Sequence, residues 1–99
     1  MDGLIVVDDG LPHGRELLKA KRAAAVEAIL VTTAAGYTFQ GDETSQTRMA
    51  RAIIALQATG TASVLWVLAD NTALQASAAE LVEALALAGA AQAALWVIA

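Results

Sequence analysis

The sequence predicts an α+β fold: three helices and two β-hairpins, the hairpins joined in one small antiparallel sheet packed by the helices. Two observations point there. Alanine-rich stretches of good helix formers occupy residues 14–28, 43–58 and the chain from residue 77 onward. Between them lie two β-branched, apolar segments, each interrupted by residues that tolerate a left-handed backbone. At 99 residues the chain has the length for one core, so the expected organisation is an N-terminal arm, residues 1–13, and a single domain, residues 14–99.

The arm contains two glycines, the only proline, Pro12, and the acid pair Asp8 and Asp9. It reads as irregular chain with one short strand at residues 4–7. In the first helix, Leu17, Leu18, Lys21, Ala25 and Ala28 fall at helical spacing, and Arg15, Lys19, Lys21 and Arg22 read as a solvated basic face. Residues 29–33 then have strand chemistry, Ala34-Ala35-Gly36 turns with a positive φ at the glycine, and Tyr37-Thr38-Phe39 returns.

Asp42 is placed to accept backbone N–H groups at the start of the second helix, and Glu43 favours its dipole. Met49, Ile53 and Leu56 form the apolar stripe of that helix, which should end before Gly60. The nearly continuous apolar run at residues 63–68 predicts a strand covered on both faces, with Trp66 in the core. Asp70-Asn71 suits a two-residue turn, after which residues 72–75 return.

Ser77-Ala78-Ala79-Glu80 is a capping box, in which the serine oxygen accepts an N–H three residues on and the glutamate reaches back to the serine N–H. The helix it starts carries Leu81, Leu85, Ala88, Gln92 and Leu95 on one stripe, while Val82, Leu87, Ala91 and Trp96 widen the apolar surface well beyond it. A helix apolar nearly all round needs cover on more than one side. A partner or a symmetry mate is therefore expected there, with Leu81, Leu85, Gln92 and Trp96 as the partner-binding residues. Trp96 suits a core or an interface anchor.

Composition narrows the function. Ten acids against six bases give a net charge of −4, with no dense basic run to track a phosphate backbone, so nucleic-acid binding is disfavoured. There is no cysteine, hence no disulfide and no thiolate metal site. Acids flank the apolar run at residues 4–7 where a signal peptide has bases, and the apolar run at residues 84–99 is short for a bilayer span. His13 is the only histidine, which excludes a triad or multi-histidine site within one chain. The glycines match neither the dinucleotide fingerprint nor the P-loop, and the adjacent acids Asp42 and Glu43 read as helix-start residues. The expectation is a protein without catalytic residues, metal or cofactor. Its hydrophobic share of 58% raises the expectation of self-association.

Three blocks read together carry a resemblance: Phe39-Gln40-Gly41-Asp42-Glu43-Thr44-Ser45-Gln46-Thr47-Arg48-Met49-Ala50-Arg51-Ala52-Ile53, then Trp66-Val67-Leu68-Ala69-Asp70-Asn71, then Glu80-Leu81 with Ala88-Gly89-Ala90-Ala91-Gln92-Ala93-Ala94-Leu95-Trp96. In order and spacing they resemble a family of small phage and prophage proteins, a domain of unknown function lying among tail and tail-fibre genes. The resemblance runs over about residues 29–97 and leaves residues 1–28 outside it. It implies an accessory tail protein. That protein would be an assembly factor or chaperone that binds a tail or tail-fibre polypeptide in the host cytoplasm, or else a structural component of the virion tail.

Overall fold

The structure, a computed structural model, describes residues 15–98. In chain order the elements are α1 (Arg15–Glu27), β1 (Leu30–Thr32), β2 (Thr38–Gln40), α2 (Glu43–Thr59), β3 (Val64–Val67), β4 (Ala73–Ala76) and α3 (Ala78–Ile98). This is the expected α+β architecture, with each element within a residue or two of its predicted place. The arm, including residues 4–7, Asp8, Asp9 and His13, lies outside the described residues.

Both hairpins are built the same way. In the first, Thr33 and Tyr37 face each other across Ala34, Ala35 and Gly36, with the Thr33 N–H on the Tyr37 carbonyl at 3.0 Å and Gly36 at φ 95°. In the second, the Leu68 N–H meets the Thr72 carbonyl at 2.8 Å across Ala69, Asp70 and Asn71, and Asn71 takes φ 72°. Each is a three-residue loop whose last residue is left-handed, a standard way to close a right-twisted ribbon. The second turn is thus one residue longer than the sequence suggested. It is fastened by Asp70, whose carboxylate accepts the hydroxyl of Thr72 at 2.6 Å and its N–H at 3.1 Å. Those bonds, the hydroxyl's first, hold the Asp70 carboxyl below the ordinary aspartate range.

The hairpins do not merge into one sheet. β1 pairs with β2 and β3 with β4, both antiparallel, as two separate two-stranded sheets. One hydrogen bond bridges them, from the Ala69 N–H to the Thr38 carbonyl at 3.0 Å. The physical reason is the shortness of β2: after Gln40 the chain turns away at Gly41 into α2, and Ser45 and Arg48 of that helix line a cleft facing β3.

Inward-facing residues of both hairpins and one stripe of each helix make a single core. Phe39, Met49 and Leu81 are its largest fully buried side chains, joined by Val26, Ile29, Val31, Ile53, Leu56, Leu68, Ala76, Ala84 and Ala88. The stripe Met49, Ile53 and Leu56 is as predicted, and α2 stops at Gly60, which takes φ 71° and returns its N–H to the Leu56 carbonyl at 2.9 Å. At the other end Asp42 is the N-cap, but its side chain makes no cap bond to the backbone. Its carboxylate instead accepts the Ser45 hydroxyl at 2.5 Å, because a hydroxyl one turn on reaches it first.

Gly41 is a steric requirement. A Cβ there would lie 2.6 Å from Ile29 Cγ2 and 3.1 Å from Ala88 Cβ, so only glycine lets the end of β2 sit this close to α3. Gly41→Ala is expected to destabilise the fold by about 1–3 kcal/mol through overpacking. Urea unfolding followed by circular dichroism measures it, with a shifted midpoint and an unchanged slope as the expected signature.

Candidate protein-binding surface

The site is built on α3, because that helix carries more apolar surface than the domain covers. Its inner face begins with the predicted cap, the Glu80 N–H donating to Ser77 Oγ at 3.1 Å. The return half of the capping box is absent: Glu80 Oε2 accepts the hydroxyl of buried Thr33 at 2.5 Å. Beside it, Glu83 Oε2 accepts the Ala34 N–H at 2.7 Å, so two carboxylates of α3 hold the tip of the first hairpin. Further along, Gln92 donates to Glu43 Oε2 at 2.7 Å and accepts from Gln46 Nε2 at 2.8 Å, and Gln46 Nε2 also reaches the Gly41 carbonyl at 2.9 Å. These polar ties fix α3 against the start of α2.

The four residues expected to bind a partner separate accordingly. Leu81 is fully buried with Ala84 and Ala88, Leu85 packs partly buried against the same core, and Gln92 is engaged with α2. Trp96 alone among them is substantially open, at 51% exposure. Its ring lies under the guanidinium of Arg22, 4.5 Å from Cζ to centroid, so Arg22 is not part of a purely solvated face but clamps α1 to α3 by a cation–π contact. Next to this pair is a shallow concavity of about 270 Å³ lined by Ala23, Ala24, Val26, Glu27, Glu43 and Trp96.

The outer face of α3 is uncovered by the described residues. Ala79, Val82, Ala86, Gly89, Ala93 and Trp96 are all exposed, at alternating steps of three and four residues, the spacing of a helix–helix seam. Over Ala78–Trp96 the helix has a mean hydropathy of 1.4 and is long and apolar enough, by length and composition, to cross a membrane, which the run at residues 84–99 alone had not suggested. Here its opposite face is committed to the domain core and its acids to the first hairpin.

A second apolar surface, unforeseen from the sequence, lies on the second hairpin. Val64, Trp66 and Leu74 pack against the core, but Leu65 and Val67 project the other way and are 61% and 59% exposed. The strand is therefore covered on one face and not on both, because no element among the described residues packs over its outer side; Trp66 is half-buried at the core edge. One signal was legible: Leu65 and Val67 stand opposite Gln75 and Ala73, a polar and a small residue unsuited to filling a buried layer. Leu30, on β1, is likewise open.

Among the described residues no group of three or more His, Cys, Asp or Glu is placed to hold a metal ion. The uncovered faces are apolar, and contact is the chemistry they offer. Comparison with known proteins matches no curated protein and no solved structure. A family model does match, over residues 15–97, and so includes α1, which the resemblance read from the sequence had left out. The chain belongs to the DUF4376 family, a domain of unknown function.

Proposed function

We propose that this protein works by binding other proteins, as a phage tail-region accessory factor that assists assembly of a tail or tail-fibre polypeptide in the host cytoplasm. The carrying observation is the coexistence of a closed core with large apolar side chains left open on two faces, Val82, Leu87 and Trp96 on α3 and Leu65 and Val67 on β3. Exposed apolar side chains that cluster on one face mark contact surfaces, which supports a binding role. The similarity of its three sequence blocks to small phage tail-region proteins supports the biological setting, and the acidic balance argues against nucleic acid as the partner. No catalytic step, cofactor or membrane enters this reading.

The test is affinity capture from phage-infected lysate with identification by mass spectrometry. A tail or fibre polypeptide is the expected companion, and its absence overturns the proposal. The second reading, a structural component of the virion tail, is favoured by the same seam on α3, which could pack permanently against neighbours. Mass spectrometry of purified virions separates the two, since an assembly factor is absent from them and a component is present at fixed stoichiometry.

Self-association belongs to the same proposal. The exposed seam of α3 bears no charge from residue 84 onward, so two copies can approach along it without like-charge repulsion. Light scattering after size exclusion, at several concentrations, is expected to give a mass above the 10.1 kDa of one chain. A concentration-independent 10.1 kDa would remove the self-association part.

A further inference from the structure

The two hairpins turn toward one another backbone edges that have no partner strand among the described residues. In the second hairpin, Leu68 is hydrogen-bonded to Thr72, and alternation along the ladder puts Trp66 and Val64 in bonded pairs with Leu74 and Ala76. The N–H and C=O groups of Leu65 and Val67 therefore point away from β4. In the first hairpin, Thr33 bonds Tyr37 and Gly41 bonds Ile29, so the backbone groups of Thr38 and Gln40 point away from β1. The bond from Ala69 to Thr38 shows that these outward edges face each other. Beyond that single rung they splay into a cleft of about 500 Å³, lined by Gln40, Ser45, Arg48, Asn71 and residues 65–68.

We infer that this cleft takes an extended segment of a partner polypeptide as an added strand along β3. This rests on the protein-binding reading and specifies its mode. Three features of the cleft define the segment. Leu65 and Val67 offer both backbone donors and acceptors, which an extended peptide satisfies. Their exposed side chains favour apolar residues at alternate positions of the incoming strand, since directly paired residues project to the same face. Among the described residues Arg48 is the one charged side chain of the lining, so the residue between two apolar ones should be a carboxylate. The occupant is an extended, alternately aliphatic segment with an acidic residue on its inner side.

The probe is the blocked peptide Ac-Val-Asp-Val-Thr-Val-NH2, titrated into the isotopically labelled full chain and followed by amide NMR shifts. The expected result is a saturable change confined to Gln40 and residues 65–68, with slower hydrogen exchange at Leu65 and Val67. Pairing also fixes which amides matter. N-methylation of the second and third valines, whose N–H groups would face β3, should weaken binding about tenfold through the loss of two backbone bonds. N-methylation of the aspartate and threonine, whose N–H groups face away from β3, should weaken it less, and Arg48→Ala should weaken it roughly two- to fivefold. No change at Leu65 and Val67, equal loss for the two methylation patterns, or changes centred on Val82 and Trp96 would each overturn strand addition. If the lysate capture still returns a tail polypeptide in that event, the protein-binding reading stands and only its mode is refuted.

Discussion

Phe39→Ala is expected to lower the stability of the domain by about 3–5 kcal/mol. Phe39 is fully buried and sits opposite Val31 in the first hairpin, on the face that packs against the core. Truncation removes an aromatic side chain from between the sheet and the helices and leaves a cavity that neighbours tied by several hydrogen bonds cannot readily close. The first hairpin is held at its tip by Glu80 and Glu83 and at its base by the close contact of Gly41 with α3. A domain of this size has roughly 5–15 kcal/mol in total, so the loss is a large fraction of it. Thermal unfolding should show a fall in Tm on the order of 10–30 °C. A change of a degree or two would mean that the hairpin is not packed as described.

The second large effect belongs to Leu81→Ala, for which about 3–5 kcal/mol is expected, again by loss of burial and cavity formation. This substitution also discriminates between two roles for α3. Leu81 lies on the stripe that the sequence suggested for partner contact, yet its side chain is wholly inside the domain. Its truncation should therefore lower stability while leaving self-association of the remaining folded protein unchanged. Val82→Ala, one residue on and 47% exposed, should do the reverse: little change in the unfolding midpoint and weaker association. Denaturant unfolding and light scattering on the two variants measure both quantities. If Leu81→Ala left stability intact and abolished association, α3 would have to be turned about its axis from the arrangement described.

Much of this fold is legible in the sequence because its signals are local. The serine at residue 77, the glycines at 36 and 60 and the asparagine at 71 each act on their own turn of chain, and each is found where local chemistry puts it. Less legible are features decided by partners distant in sequence. Glu80 has two possible acceptor roles, and the choice of Thr33, 47 residues away, follows only from the docking of the first hairpin on α3. Arg22 and Trp96 lie at opposite ends of the chain, so nothing local reveals that one covers the other. The candidate surface was legible to a lesser degree. That α3 is too apolar for one side to bury could be read from residues 81–96, but which residues face out depends on the rotation of the helix against α2. Val64-Leu65-Trp66-Val67 misled because continuous apolarity is shared by strands covered on both faces and by strands that keep one face for a partner.

The measurement that bears most directly on a protein-binding role is side-by-side capture from phage-infected lysate by the wild-type chain and by Leu65→Asp/Val67→Asp. Both substituted residues are exposed, so the variant should keep the wild-type circular dichroism and lose no more than about 1–2 kcal/mol of stability, the cost of two aspartates in a strand. The predicted result is a tail or fibre polypeptide bound to the wild type and lost from the variant. Failure of the wild type to capture any tail component, or equal capture by both chains, would contradict the role assigned to this uncovered surface.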